Sequence, residues 1–367
     1  MWPNEAKKCD FIKKYYILFG ILLSITAIMA DFILQFYDDD FSFTSLVDSL
    51  IGLSALLSVI YISVCFIVKD QEIKRLTENL KIFEEYIPKV KIEETEDKAK
   101  FHTKIFIIYG IMGNIIYDCL PLLTYEDCHK NRSKHMIKYG IPCGGIVHYV
   151  LPYKQDTFPL AEITIVNQML ISTVGTLIVM TVTMLVCGIL IHVSANLKYL
   201  RSMISNLTYT PNNRIMQHVN SCVKYHTMIC DFAGRINEAF STMMLVHITW
   251  TSFIISVLGF EIIMDTNYSN SIRFSLHLGG WLGMLFLICF YGQILMDDSF
   301  AVSEALYEAE WYEKPPIVRK SLVLILLRSQ RPLVLKAAGV NVMSLATFLG
   351  VLYNAYSYFT LLLKIKP

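Results

Sequence analysis

Charge is scarce in this chain of 367 residues: Asp, Glu, Lys and Arg make up 17% of it, against roughly a quarter in soluble globular domains. With 54% hydrophobic residues and a mean hydropathy of +0.47, that shortage excludes an ordinary water-soluble fold. Cys-x-x-Cys spacing is missing among the nine cysteines, so neither a zinc ribbon nor a dithiol redox motif is indicated. His, Asp and Cys do not cluster as a hydrolase or transferase would need. Internal repeats, low-complexity tracts and a second, soluble domain are also missing. The net charge of +1 identifies no partner by itself; no enzyme activity, metal, cofactor or nucleic acid partner is expected.

What is present is a series of apolar windows long enough to cross a bilayer. They fall at about 15–37, 43–68, 104–125, 163–193, 241–264, 274–296 and 337–363, and we read them as one all-α membrane domain, 1–367, of seven spans. The first follows Lys7, Lys8, Lys13 and Lys14 and is longer than the apolar core of a signal peptide, so it reads as a retained span. The second and fourth are long enough to tilt or to continue past the bilayer. A polar break, Arg328-Ser329-Gln330-Arg331-Pro332, precedes the last run, and Pro332 disfavours helix at its neighbour. The short apolar piece before that break predicts a helix of about 320–331 buried in protein.

Basic residues set the expected orientation. With the N-terminus cytoplasmic, the inner segments hold 24 of the 32 Lys and Arg residues and the outer ones 8. An odd number of spans then puts the C-terminus outside. Sequons at Asn131 and Asn267 fall on the outer side, that at Asn206 inside, which is weak support. Residues 127–162, rich in Pro and Gly, form a long outer loop with the composition of a lid. Within it Cys128 and Cys143 could form a disulfide, though Cys119 is also near. The inner stretches 70–99 and 196–239 look like helical extensions of the spans. Of the ionisable groups near spans (Asp31, Asp48, Asp118, His192, His247, Glu261, His277), only His247 is moderately deep. A neutral histidine bonded to a neighbouring helix is its simplest reading.

Seven spans with the N-terminus inside invert a G-protein-coupled receptor, and neither Asp-Arg-Tyr nor Asn-Pro-x-x-Tyr is present. The stretch from Trp311-Tyr312 through Pro315, Arg319-Lys320 and Leu327-Arg328-Ser329-Gln330-Arg331-Pro332-Leu333, then Ser344-Leu345, Thr347-Phe348 and Ala355-Tyr356-Ser357-Tyr358-Phe359, resembles the C-terminal signature of insect odorant receptors. Elsewhere the likeness is one of length and span layout. Thr347-Phe348 and Asn354-Ala355 depart from the pattern of the gustatory relatives, which favours the odorant branch.

The resemblance implies the odorant-binding, tuning subunit of a heterotetrameric, ligand-gated, nonselective cation channel in the plasma membrane of a sensory neuron dendrite. Its implied partners are an obligate co-receptor, membrane lipid and a small volatile organic ligand. It makes Arg328, Gln330, Arg331 and Pro332 a joint between an anchor helix and the pore-lining seventh span, the alternative being a basic membrane-proximal flank that obeys the positive-inside bias. Leu361 and Ile365, a helical turn apart with Lys364 on the same face, fall at the implied hydrophobic gate, which closes by dewetting. Four lysines around one mouth would repel cations, which favours a mixed assembly. The alternative is a lipid-facing leucine run with a snorkelling lysine.

For the ligand, the outer halves of the spans offer Leu50, Leu53, Gly113, Asn114, Tyr117, Met169, Ser172, Thr173, Phe274, His277, Leu278 and Trp281. This apolar and aromatic mixture with a few hydrogen-bonding groups suits a small volatile molecule, while residue by residue ordinary helix packing explains it equally. Other classes remain: a gustatory-type channel, separable by whether currents need the odorant co-receptor, and a transporter, which should show paired broken helices or buried mid-membrane charge.

Overall fold

The computed structural model describes residues 7–37, 43–211, 213–264 and 267–365, with side chains from Phe19 onward except at 43, 44 and 365. Seven long helices form the bundle: α1 (Lys7–Gln35), α2 (Phe43–Val68), α4 (Lys89–Leu123), α7 (Leu160–Ser205), α8 (Ile215–Met264), α9 (Tyr268–Glu308) and α11 (Leu345–Ile365). Six of them are long and apolar enough to cross a membrane, and α1 adds the apolar piece Phe19–Gln35. Short helices fill the connections: α3 (Asp70–Asn79) at one end, α5 (Tyr125–Lys130) and α6 (Lys134–Tyr139) at the other, and α10 (Pro316–Ser329) before α11. We call the end carrying α5 and α6 the loop end and the opposite one the anchor end.

Helices α7, α8 and α9, at 46, 50 and 41 residues, are about 60 to 75 Å long at 1.5 Å per residue. Their anchor ends therefore project well past a hydrocarbon core of about 30 Å. Apolar residues at helical spacing fuse the projections into a core in which Leu197, Leu200, Val219, Tyr225, Ile229 and Val302 are fully buried. Buried polar groups there are paired: the Tyr225 hydroxyl donates to Asn196 Oδ1 at 2.6 Å, and the Ser194 hydroxyl donates to Asp298. The expected inner extensions are interrupted at both places. Asn206–Tyr209 tightens into a 3-10 turn, and α3 is followed by another at Leu80–Glu85 before Pro88 opens α4.

Two boundaries are corrected. The anchor helix runs Pro316–Ser329, starting on a proline at its first position, so Gln330, Arg331 and Pro332 lie past its end. Residues 337–344 are not part of the last span. Lys336–Ala337 pairs antiparallel with Asn341–Val342 as a small hairpin, which adds two short strands (β1 and β2) to the expected all-α fold. Ala338 and Gly339 turn the chain at positive φ. Asn237 of α8 holds the hairpin with both ends of its amide: Nδ2 donates to Val334 O at 2.8 Å, and Oδ1 accepts from Lys336 N at 2.6 Å. Ser344 then caps α11, its hydroxyl accepting from Thr347 N. Hydropathy cannot see this break because every turn residue from Ala337 to Val340 is apolar or glycine.

At the loop end, Cys128 and Cys143 are joined by a disulfide. Closing a loop of 15 residues removes about 3 kcal/mol of unfolded-chain entropy in the loop-closure picture. A buried clasp seats α6 on α1 and α2: Asp31 accepts from Ser49 Oγ at 2.8 Å and Gln35 Nε2 at 2.6 Å, with His135 Nε2 at 3.0 Å. Ser133 caps α6 and Gly140, at φ 64°, ends it in the left-handed conformation.

Candidate ligand cavity

The loop that leaves α6 folds back over the bundle. Gln168, on α7, fastens it there: Oε1 accepts from Ile146 N at 2.7 Å, and Nε2 donates to Val147 O at 2.9 Å. From α9, Arg273 reaches Ile146 O at 3.4 Å and the Asp48 carboxylate of α2 at 3.5 Å, with its guanidinium over the Tyr117 ring. Beneath this roof, between α2, α4, α7 and α9, lies a cavity of about 190 Å³.

Its walls are apolar and aromatic. Ile51, Leu56 and Val59 come from α2, Phe106, Tyr109 and Gly110 from α4, Val179 and Met180 from α7, Trp281 and Met284 from α9, and Val147 and Tyr149 from the roof. Burial pushes the Tyr149 phenol up to about 12, so it stays a neutral hydroxyl. One polar cluster sits on the wall. Asn114 Nδ2 donates to Asp118 Oδ2 at 2.8 Å and Thr173 Oγ1 at 3.0 Å, while its Oδ1 accepts from Thr176 at 2.9 Å and Ser172 at 3.1 Å. Every bonding position of that amide is used.

Six of the twelve residues named from the sequence line the cavity: Gly113, Asn114, Tyr117, Ser172, His277 and Trp281. The other six do not. Thr173 stands behind the wall as the partner of Asn114. Leu53 packs against the cluster of Ala27, Ile28 and Tyr149, and Leu278 packs against the main core. Phe274 is buried with the Arg273 guanidinium over its ring. Leu50 and Met169 are half-buried outside the lining. Among the lining residues not named from the sequence are Gln168, Phe106, Tyr109 and Gly110. The last three lie on the helical face that also carries Gly113, Asn114 and Tyr117, one or two turns deeper, so the same periodicity reaches them.

His247 is buried on α8 with its ring 6.1 Å from that of Trp281. Its expected bond to a neighbouring helix is not made: Nε2 has no hydrogen-bond partner among the described residues. On α11, Leu361 and Lys364 are exposed, and the side chain of Ile365 lies outside the described residues. Arg328, Gln330, Arg331 and Pro332 are exposed at the anchor end, where Arg328 Nη1 donates to Arg331 O at 3.0 Å. Among the described residues no group of His, Cys, Asp or Glu is placed to hold a metal.

The architecture is that of a seven-helix, multi-pass membrane protein. A profile of the family described as 7tm Odorant receptor matches residues 42–356. Odorant receptor 85b of Drosophila melanogaster is 30% identical over 140 residues, 38% of this chain and 36% of that protein. Odorant receptor Or2 of Anopheles gambiae is 26% identical over 151 residues, 41% of this chain and 40% of that protein. The chain thus spans less than half the length of these relatives. Among solved structures, the olfactory receptor OR5 of Machilis hrabei in complex with eugenol superposes with a TM-score of 0.83, covering 100% of this chain and 92% of that one at 16% identity. That likeness is one of fold. The chain belongs to the 7tm odorant receptor family.

Proposed function

We propose that this chain is the odorant-binding subunit of a heteromeric, ligand-gated, nonselective cation channel, assembled with a co-receptor in the plasma membrane. The cavity is the observation that carries the reading. Its volume of about 190 Å³ falls below the roughly 300–1,000 Å³ of drug-sized sites, which suits a small volatile molecule. The Machilis hrabei receptor, of the same fold, is described in complex with eugenol, a molecule of that class. Family membership supports the channel and the co-receptor. Support for a pore role of α11 comes from its open flank: Leu349, Tyr353, Tyr356 and Leu361 are exposed in the single subunit.

Filling the cavity tests the binding site. A Cβ added at Gly113 or at Gly280 meets nothing within 4 Å, so Gly113→Leu and Gly280→Leu put bulk into the space while leaving the wall in place. Each should weaken responses to every activating odorant by tenfold or more at unchanged surface expression. Full sensitivity in both would place the ligand elsewhere.

The proposed orientation puts the N-terminus and anchor end in the cytoplasm and the loop end outside, supported by the 24 against 8 distribution of Lys and Arg. A tag after Pro367 should then label on intact cells, and one before Met1 only after permeabilisation. The reverse pattern would overturn the orientation.

A further inference from the structure

Among the described residues that line the cavity, one buried side-chain polar atom lacks a hydrogen-bond partner. Gln168 is spent on the roof, Asn114, Ser172 and Thr176 on one another and on Asp118, and the Tyr109 hydroxyl donates to Leu276 O at 3.2 Å. Trp281 Nε1 donates to His277 Nε2 at 3.0 Å. A ring that accepts at Nε2 carries its proton on Nδ1. That Nδ1 is buried and has no hydrogen-bond partner among the described residues. The Tyr117 ring, 5.2 Å away and edge-on, offers at most a weak aromatic contact.

We infer that His277 donates from Nδ1 to an oxygen acceptor on the ligand, so that the cavity selects small carbonyl-bearing molecules over hydrocarbons of the same shape. An unmade bond from a buried donor is costly, and an acceptor in the cavity removes that cost where an isosteric hydrocarbon cannot. Trp281 fixes the tautomer, and with it the direction from which the acceptor is met. This inference rests on the cavity being the ligand site and adds the chemistry it selects.

The test compares carbonyl and methylidene isosteres on cells expressing the chain with the co-receptor. Acetophenone is paired with α-methylstyrene, and 2-heptanone with 2-methylhept-1-ene. In the wild type the carbonyl member of a pair should act at about tenfold lower concentration. His277→Phe, which keeps a ring but no donor, should bring the two within about twofold, and His277→Asn, whose amide N–H stands near the position of Nδ1, should restore the preference. Should His277→Phe fail to reach the surface, His277→Leu is read in the same way. A wild type without preference, silence to every pair, or a preference that survives His277→Phe overturns the inference, as does one lost in Tyr117→Phe alone. Gly113→Leu separates the two levels: if it silences both members while His277→Phe keeps the preference, only the role of His277 falls, and if it silences neither, the cavity itself is not the site.

Discussion

Trp281→Ala should shift odorant concentration–response curves by more than tenfold, which corresponds to about 1.4 kcal/mol of binding free energy. The indole is 5% exposed, forms part of the cavity wall, donates to His277 and lies beside His247. Truncation enlarges the cavity, removes aromatic contact with the ligand and releases His277 from its fixed tautomer. Loss of a buried tryptophan costs about 3–5 kcal/mol in soluble cores, so surface levels must be measured alongside. Trp281→Phe, which keeps aromatic bulk without the hydrogen bond, should give an intermediate shift. Tyr117→Ala, which removes the lining ring packed 5.2 Å from that of His277, should shift the curves by a similar factor. Wild-type sensitivity in both alanine variants, for every active ligand, would remove this wall from the binding site.

The second large effect is expected at the far end of α11. If Leu361 belongs to a hydrophobic constriction, Leu361→Ser wets it and should raise odorant-independent current several-fold at wild-type surface levels. Ile365→Ser should do the same. Lys364→Glu exchanges a cation for an anion at the proposed mouth, and local cation concentration should rise through electrostatic focusing. The change in divalent permeability should be largest at low ionic strength, because screening at about 0.15 M salt limits the reach of a charge to roughly 8 Å. Normal gating in both serine variants, together with unchanged divalent permeability and block in Lys364→Glu, would mean that this face points at lipid.

The spans were legible because each is a long apolar run, and their number and order follow from hydropathy alone. The start of α11 was not. The hairpin before it is made of residues that hydropathy scores like membrane, and it is held by Asn237, about a hundred residues away in sequence. The cavity was legible on α4 and α9, where Gly113, Asn114 and Tyr117, and likewise His277 and Trp281, repeat at helical spacing. On α2 the expected residues, Leu50 and Leu53, are neighbours of the lining pair Ile51 and Gly52. A shift of one residue turns a helix face by about 100°, and nothing local sets that rotation. Gln168 shows a different limit. Its partners are backbone groups of a loop that folds back only in the tertiary structure, so no pattern within α7 marks it.

The most direct measurement is a structure of the assembled receptor with an activating carbonyl odorant, determined with and without the ligand. The account predicts new density under the 146–149 roof, bounded by Gly113, Ser172 and Trp281, with its oxygen within hydrogen-bond distance of His277 Nδ1. Ligand density outside the space between α2, α4, α7 and α9, with this cavity unchanged, would contradict it.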